Sequence, residues 1–432
     1  MTETASSAPA IEIPADDRRV LRELGEQKAA IAALPIQNQR RQMWSAMNQM
    51  ESVKPLVWFD DICWNEMNVN DELTLRTQHR LARRIETQLR QELYRWRRIQ
   101  GDTVIEPVIH SLPSFRDTGF GLRIEADLVE AALKGGLPSA HFKPQIRGED
   151  DIEKIKMPEV SVDRAKTEEN YQLLRDVFDG VIDVVHSGVP GFWFAPWDEI
   201  VMWTGVQEAL EDLAARPDYM HKLIDRLMTA HLCRLDQYER LNLLAPNSSN
   251  VRVGSGAYGY STELPGTGFD PEHVRTTDLW GCSTAQIFVA VSPKMHWEFA
   301  IEYEIRWLER FGLNYYGCCE PLHGKMDYVK RIPNLRKISM SPWADVAKAR
   351  ENGADDYVLS IKPNPEILAR DRWSLDLARE QLSDMLDQAR GCAVEVVMKD
   401  ISTVRGQPQR LWEWVEMARA LTEEYAYPKY QK

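Results

Sequence analysis

The sequence predicts an α/β fold in which short parallel strands alternate with helices, and two observations carry this prediction. From residue 313 to residue 425, short β-favouring runs alternate with helical stretches at the spacing of βαβ units. Several of these runs end directly in polar residues, as the strands of a β/α barrel do at the edge that carries the chemistry. Right-handed crossovers would wind such units into a barrel. An open doubly wound sheet is the alternative, but no glycine-rich βα turn opens any unit.

Length, charge and cysteine content limit the class of protein. The 432 residues are enough for one large domain or two small ones, and the net charge is −13. Nucleic acid and anionic membranes need clustered positive charge, so neither is expected as a partner. No run approaches the roughly 20 apolar residues of a spanning helix. Six cysteines form no disulfide framework and the N-terminus lacks a signal-peptide pattern, so we expect a cytoplasmic protein with free thiols.

The first part of the chain is predicted to contain a tail, a helical extension and the first strand. Residues 1–17 are small and polar, and we expect a disordered tail there. Residues 18–50 have spaced apolar positions, which predict helix interrupted near Pro35. Residues 54–59 read KPLVWF and form the first candidate strand. Trp58 lies near its end and Asp60 follows it, so both are candidate site residues.

Three further strands are predicted before residue 300. Residues 104–109 form a strand that ends at His110, and residues 181–185 form one that ends at His186. A histidine after a strand is more often structural than functional, so both interpretations of His110 stay open. Residues 282–291 are apolar and β-branched. The Gly- and Ser-rich residues 251–262 are not a phosphate-binding loop, because no helix follows them.

The last four strands are predicted at residues 313–318, 337–340, 357–361 and 393–398. In a barrel, the residues that follow each strand converge at one edge. The convergent set from the whole chain is Asp60, His110, His186, Cys318, Cys319, Glu320, Ser339, Ser341, Lys362, Lys399 and Asp400. This mixture of metal ligands, acids and cations favours a site for a small anionic or polar molecule.

The segment around residues 312–320, GLNYYGCCE, carries the densest chemistry. Cys318, Cys319 and Glu320 follow its strand, with His323 three residues later. Thiolate, imidazole and carboxylate together suit zinc. The alternative is that both cysteines are small buried hydrophobes. Neighbouring strand residues point to opposite faces, so one cysteine is expected to be functional, and we choose Cys318 with Cys319 as the second choice.

Several segments, in order, resemble the uroporphyrinogen decarboxylase superfamily, and its methyltransferase branches more than its porphyrin enzymes. They lie between about residue 50 and residue 425 and include KPLVWF, TGFGLRIE followed by QIRGEDDIEKIKMPEV, the segments that begin APWDEI and SPKMHWEF, and IKPNPEIL. The resemblance implies a single distorted (β/α)8 TIM-type barrel over residues 51–428, with residues 18–50 as an N-terminal helical extension. It also implies a deep cleft at the carboxyl ends of the strands.

The resemblance implies a zinc set that this sequence keeps only in part. Methyltransferases of the superfamily bind zinc through a His-x-Cys pair and a later cysteine. The pair falls on Tyr316 and Cys318, so the histidine is a tyrosine here, and the later cysteine falls near Lys399 and Asp400. Cys318 with Cys319, Glu320 or His323 could rebuild a site. The arginine-rich segment that holds propionates in the porphyrin enzymes is DDICWNEM here, which disfavours uroporphyrinogen as the substrate.

We therefore predict a methyltransferase or demethylase of a small polar or anionic molecule, zinc-assisted and linked to a corrinoid or tetrahydrofolate. A metal-free decarboxylase or other lyase of a carboxylated molecule is the first alternative, and a non-catalytic ligand-binding barrel is the second. The candidate residues are Asp60, His110, Glu320 and Asp400 for catalysis, Trp58, His186, Tyr316, Lys362 and Lys399 for substrate, and Cys318, Cys319 and His323 for the metal. A corrinoid protein and a second copy of the chain are the expected macromolecular partners.

Overall fold

The strands of the protein were located in a computed structural model, which describes residues 12–51, 54–129 and 139–426. They are β1 (Leu56–Phe59), β2 (Val108–Ser111), β3 (Ser114–Asp117), β4 (Ala126–Val129), β5 (Ser139–Phe142), β6 (Val160–Asp163), β7 (Asp183–His186), β8 (Trp280–Ser283), β9 (Leu313–Tyr316), β10 (Leu335–Met340), β11 (Val358–Ile361) and β12 (Val394–Met398). Predicted strands lie on β1, β2 and β7 to β12, with ends that differ by a few residues and by more on β8.

The α-helices connect and cover these strands. They are α1 (Ala15–Ala32), α2 (Pro35–Asn48), α3 (Arg80–Arg98), α4 (Arg164–Phe178), α5 (Pro196–Thr204), α6 (Val206–Ala215), α7 (Pro217–Arg240), α8 (Pro293–His296), α9 (Glu302–Leu308), α10 (Met326–Val329), α11 (Val346–Glu351), α12 (Glu366–Ala369), α13 (Leu375–Gln388) and α14 (Gln409–Glu424). None of the described helices is long and apolar enough to cross a bilayer.

A six-stranded parallel sheet forms the centre of the molecule, in the order β1-β12-β11-β10-β9-β8. β2 and β7 form a separate parallel pair, and two antiparallel pairs, β3 with β6 and β4 with β5, lie outside both. The predicted α/β fold with a parallel sheet is therefore confirmed. The closed eight-stranded barrel stays a prediction, because the ladders of the described residues leave β1 and β8 as the edges of an open sheet.

The central strands are buried on both faces, as parallel strands covered by helices are. Every residue of β1, β8, β9, β11 and β12 is buried. Two charged residues lie inside this layer: the Lys337 ammonium is 2.9 Å from Glu395 Oε2, and both side chains are fully buried. Because each charge neutralises the other, the pair avoids an isolated buried ion, which would be far more costly.

The N-terminal helices pack on the side of the molecule where β2 and β7 lie. Apolar residues of α1, α3 and α4 form one buried cluster with Ile109 of β2. α1 and α4 approach closely at Gly25, where an added Cβ would lie 2.8 Å from the ring of Phe178. α1 begins at Ala15, inside the segment predicted as a tail, whose residues 1–11 lie outside the described residues.

Candidate functional site

A cavity of about 530 Å³ opens where β1, β8, β9 and β12 end. Its wall consists of residues from those strand ends and from two loops, 190–193 and 247–254: Asp61, Pro190, Gly191, Phe192, Trp193, Asn247, Val251, Arg252, Val253, Gly254, Trp280, Gly281, Cys282, Gln286, Cys318, Cys319, Lys399 and Asp400. Carboxyl ends of parallel strands meet at one edge, which explains why residues distant in sequence share this wall.

Four of the predicted site residues lie in this wall: Cys318, Cys319, Lys399 and Asp400.

Three tight turns present the polar residues of the wall. Asp61 after β1 and Asp400 after β12 have φ values of 48° and 56°, and Gly317 after β9 has a φ of 95°. Aspartate is one of the few residues other than glycine that adopts this left-handed region readily. Ile401 N–H donates to the Asp61 carbonyl at 2.9 Å, which ties two of the turns together. Left-handed residues at strand ends are a recurrent feature of functional sites.

Cys318 is the thiol of the wall with a lowered pKa. Its Sγ lies 3.6 Å from Cys319 Sγ and 3.8 Å from Lys399 Nζ. A hydrogen bond from the Cys319 thiol lowers the pKa of Cys318 to about 7, against the opposing effect of burial, and the positive charges of Lys399 and Lys362 lower it further. Since the thiolate is the nucleophilic form, Cys318 is substantially activated at neutral pH.

Cys319 is the donor partner of this pair. The charge on Cys318, which the Cys319 thiol stabilises by donating to it, raises the pKa of Cys319, and burial raises it further. Cys319 therefore stays a thiol while Cys318 ionises. That one of the two cysteines is the functional one stays a prediction.

Lys399 supplies permanent positive charge beside the thiolate. Its ammonium group is 2.6 Å from Asp400 Oδ2 and 3.8 Å from Asp61 Oδ2. Burial would lower the pKa of Lys399, but attraction to Cys318 and Asp400 outweighs it, and the pKa is raised. Only 5% of Lys399 is exposed, so little water screens its field at Cys318.

Lys362 lies behind the wall rather than in it. Its ammonium donates to Tyr315 Oη at 2.8 Å and to Ser339 Oγ at 2.7 Å, and Ser339 Oγ in turn donates to the Cys318 carbonyl at 2.7 Å. Burial lowers the pKa of Lys362 to about 8. Its contacts orient the turn that carries Cys318. Lys362 does not line the cavity, so its predicted contact with substrate stays a prediction.

Arg252 joins the first strand end to the wall. Its Nη1 donates to Asp60 at 2.8 Å and to Asp61 at 3.3 Å, while Asp60 also accepts from Arg95 at 2.9 Å. Asp60 is thus engaged by two guanidinium groups and does not line the cavity. Trp58 is buried beneath this cluster, with the Arg252 guanidinium 5.9 Å from its ring centre.

Glu320 is a fully buried carboxylate that anchors the thiol-bearing turn. It accepts from Thr284 Oγ1 at 2.9 Å, from Ala285 N at 3.2 Å and from Cys318 N at 2.9 Å. Burial raises its pKa. These contacts tie β8 to the turn after β9 and do not bring Glu320 to the cavity wall. Its placement indicates a positioning role, while the predicted catalytic role would need contact with the cavity.

Tyr316 belongs to a buried hydrogen-bonded chain, which we call the β9 network and define as Lys325, His296, Tyr316 and Glu304. Lys325 Nζ lies 2.8 Å from His296 Nδ1, His296 Nε2 lies 2.8 Å from Tyr316 Oη, and Tyr316 donates to Glu304 Oε2 at 2.9 Å. With Lys325 as the donor to Nδ1, the imidazole carries its hydrogen on Nε2. Tyr316 is fully buried in this network, away from the cavity wall.

The three remaining predicted histidines are not brought to the cavity. Burial lowers the pKa of His110, and the nearest charges to it are those of Lys28 and Glu92. His186 is exposed and stacks on Tyr171 with ring centres 3.7 Å apart. His323 Nδ1 accepts from Asp345 N at 3.2 Å, which directs that nitrogen to the backbone after β10.

A zinc ion is not matched by the residues that meet here. Sulfur atoms of Cys318 and Cys319 lie close enough to share a metal, but His323 is engaged elsewhere and Glu320 is saturated by donors. The Lys399 ammonium, 3.8 Å from Cys318 Sγ, compensates the thiolate charge that a metal would otherwise balance. Among the described residues, no three His, Cys, Asp or Glu side chains are grouped to hold a metal ion.

The wall residues that sequence reasoning missed include Cys282, Arg252 and Asp61. The predicted strand at 282–291 begins two residues late, so Cys282 was read as its start instead of as a cavity residue. Its thiol donates to the Phe192 carbonyl at 3.1 Å, and burial raises its pKa to about 11. Asp61 could have been chosen from the Asp60–Asp61 pair by the strand's end. Arg252 lies in a loop that carried no recognisable motif.

Comparison with known proteins gives little that bears on function. No protein-family model and no curated protein match the sequence. One solved structure with a similar course of the chain is a methyltransferase from Methanosarcina mazei, 11% identical, covering 90% of this chain and 99% of that chain at a TM-score of 0.48. At this level of similarity its activity is not transferred to this chain.

Proposed function

We propose that the chain is a methyltransferase- or demethylase-like enzyme in which the Cys318 thiolate is the nucleophile that takes a methyl group from a small polar or anionic molecule. The proposal includes a single barrel-type domain over residues 51–428, with residues 18–50 as a helical extension. Methyl transfer as the reaction comes from the resemblance in sequence. The choice of Cys318 as the reacting group comes from the cavity.

A single observation carries the proposal: an ionisable thiol beside a fixed cation, in the wall of a ligand-sized cavity. Cys318 Sγ is 3.8 Å from Lys399 Nζ, and both residues line the cavity of about 530 Å³. This volume lies within the usual range for small-molecule sites. A lowered thiol pKa together with access to a cavity distinguishes reactive cysteines from structural ones.

The proposed step is a displacement at the methyl carbon. An electron pair of the Cys318 thiolate forms the new sulfur–carbon bond as the bond from carbon to the donor atom breaks, and the donor atom keeps that electron pair. A nitrogen or oxygen leaving atom also needs a proton. Solvent supplies that proton, while Lys399, held by Asp400 at 2.6 Å, stabilises the leaving atom with its fixed positive charge.

Substrate binding is assigned to the polar rim of the cavity. Arg252 Nε is buried and has no hydrogen-bond partner among the described residues, although Nη1 is paired with Asp60 and Asp61. A substrate oxygen could satisfy this N–H group. Trp193, which is 50% exposed, offers an aromatic face beside it.

Corrinoid or tetrahydrofolate co-substrates, and a corrinoid protein as a partner, remain part of the proposal through the resemblance alone. Zinc is left out of the proposed step because the predicted ligands do not meet. In this proposal Cys318, predicted as a zinc ligand, is instead the nucleophile, stabilised as the thiolate by Cys319 and Lys399.

The test is single-turnover methylation of the protein without an acceptor. The full chain is incubated with methylcobalamin or with 5-methyltetrahydrofolate, and the tryptic peptide of residues 311–325 is weighed. We expect one added methyl group on Cys318, and none in Cys318→Ser. Cys392→Ser is the matched control, since Cys392 is a free thiol outside the cavity. An unmethylated peptide whose Cys318 still reacts rapidly with iodoacetamide would contradict the proposal.

A decarboxylase is the second candidate, and the pair of cations in the wall favours it. Lys399 and Arg252 both lie in the lining and could orient a carboxylate substrate. Release of CO2 from a candidate acid, retained in Cys318→Ser and lost in Arg252→Met, would favour the decarboxylase over methyl transfer.

A further inference from the structure

We propose that Cys318 and Cys319 form a peroxide-sensitive dithiol, which hydrogen peroxide or an alkyl hydroperoxide converts into a reversible disulfide between the two neighbouring residues. This modification site goes beyond the proposed function. It depends only on the arrangement of the two thiols and their surroundings, whatever reaction the cavity performs.

Three contacts make this pair suited to oxidation. The two sulfur atoms lie 3.6 Å apart and share a hydrogen bond, so a second thiol is already in place when the first is oxidised. The Lys399 ammonium, 3.8 Å from Cys318 Sγ, stabilises the thiolate that attacks peroxide. Both cysteines line the cavity, with Cys318 2% exposed and Cys319 half-buried, so the cavity is the route by which a molecule as small as peroxide would approach them.

A disulfide at the pair would form in irregular backbone that Glu320 and Ser339 hold in place. Residues 318–320 belong to neither a helix nor a strand, and Gly317 before them has a φ of 95°. Neighbouring Cα atoms lie about 3.8 Å apart. Ordinary disulfides join Cα atoms about 4.4–6.8 Å apart, so a disulfide between neighbours is strained. Strained disulfides are reduced readily, which predicts a bond that mild thiol reductants reverse.

The chemistry balances in two steps. The Cys318 thiolate attacks one oxygen of the peroxide, the O–O bond breaks, and the products are Cys318 sulfenic acid and, after protonation, water or an alcohol. The Cys319 sulfur then attacks the sulfenic sulfur, the S–O bond breaks, and water leaves with the Cys319 proton. The peroxide is reduced by two electrons and the two thiols lose them.

The other described cysteines lack this arrangement. Cys282 is in the same wall, but its thiol donates to the Phe192 carbonyl at 3.1 Å. No hydrogen bond recorded for the described residues joins Cys63, Cys233 or Cys392 to another thiol. The structure therefore assigns Cys319 as the residue that resolves the Cys318 sulfenic acid, with Cys282 as the competitor to be tested.

The experiment exposes the full chain to a small excess of hydrogen peroxide, blocks remaining thiols with iodoacetamide and weighs the tryptic peptide of residues 311–325. This peptide holds Cys318 and Cys319 and no other cysteine, while Cys282 is in the peptide of residues 276–294. We expect an unalkylated peptide lighter by two hydrogen atoms than the dithiol form. Dithiothreitol before alkylation should restore two alkylated thiols.

Three variants test whether Cys319 is the residue that resolves the Cys318 sulfenic acid. In Cys319→Ala, first oxidation of Cys318 should be slower, but sulfinic acid should make up a several-fold larger share of the oxidised peptide than in the wild type, because no neighbouring thiol resolves the sulfenic acid. Cys282→Ser and the distant Cys392→Ser should leave the disulfide unchanged. A wild type whose oxidised peptide holds as large a share of sulfinic acid as that of Cys319→Ala, or a linkage between peptides 311–325 and 276–294, would overturn the assignment. These results are independent of methylation, so either proposal can fail alone.

Discussion

The cavity wall and the β9 network both contain buried ionisable side chains. The wall favours the charged form of Cys318, whereas the network disfavours the charged forms of Glu304 and Lys325. In the wall, the pKa of Cys318 falls to about 7, although the residue is only 2% exposed. In the network, burial raises the pKa of Glu304 to about 8 and lowers that of Lys325 to about 8. Tyr316 of the network and Cys318 of the wall are only two positions apart in the sequence.

The difference lies in the partners and not in the depth of burial. Desolvation alone disfavours every charged form, and in the β9 network it dominates. At Cys318 a thiol donor and two lysines stabilise the charge more strongly than burial destabilises it. The comparison teaches that a reactive group in this fold is recognised by its charge partners, since its burial matches that of its structural neighbours.

Removal of the Cys318 sulfur should have the largest effect of these changes on the chemistry of the cavity wall and leave the β9 network unchanged. Cys318→Ser is expected to abolish methyl labelling of residues 311–325 and change the free energy of unfolding by less than about 1 kcal/mol, because the hydroxyl is smaller and equally able to hydrogen-bond. Mass spectrometry and urea unfolding measure the two effects. A variant that labels as well as the wild type would end the claim for Cys318.

Glu304→Gln should change the pH dependence of stability. The folded-state pKa of Glu304, about 8, lies above its ordinary value of 4.5, so the carboxyl contributes stability that is present below pH 4.5 and lost as pH rises towards 8. The loss is on the order of a few kcal/mol. Urea unfolding at several pH values should show that the wild type loses stability relative to Glu304→Gln across this window. Parallel pH profiles would contradict the assigned protonation.

Tyr316→Phe should destabilise the fold without affecting the thiol. The change leaves His296 Nε2 and Glu304 Oε2 without their partner in a dry interior, which costs about 1–3 kcal/mol. Tyr328→Phe is the matched control, because that ring stacks on Trp297 and its hydroxyl bonds to none of the described residues. The rate of Cys318 alkylation should be unchanged in both variants. A slower rate in Tyr316→Phe would show that the β9 network affects the reactivity of Cys318 and would contradict this prediction.

Lys399→Met should raise the pKa of Cys318 by about one unit, the usual effect of removing a neighbouring opposite charge. Lys399→Arg keeps the charge and should leave the pKa near its wild-type value. The alkylation rate of Cys318 as a function of pH measures both. Cys319→Ala should raise the pKa at least as much as Lys399→Met, because the Cys319 hydrogen bond is the largest cause of the lowered pKa.

The sequence predicted the positions of the strands and of the turn at residues 317–320 better than it predicted the hydrogen-bond partners of individual side chains. Alternation of apolar runs and helices located the parallel strands, because strands that are buried on both faces are mostly apolar. Cys318, Cys319, Lys399 and Asp400 were found from their position after a strand. The same rule proposed His110 and His186, which belong to the separate β2–β7 pair and not to the central sheet.

The placement of the remaining residues away from the cavity has one physical cause. Tyr316 and Glu320 lie at the predicted strand end, but hydrogen bonds to Glu304 and Thr284 turn them into the interior. His323 is close to the cysteines in sequence, yet its side chain is taken by the backbone of Asp345. These contacts join residues 12 to 36 positions apart, and a strand pattern carries no information about them.

The pH dependence of wild-type thiol reactivity tests the central claim most directly. The full chain is alkylated with iodoacetamide between pH 5 and pH 10, and the rate of modification of Cys318 is read from the peptide of residues 311–325. The account predicts a midpoint near pH 7 for Cys318 and a much later one for Cys319. A Cys318 midpoint at or above the ordinary thiol value of 9.0 would contradict it.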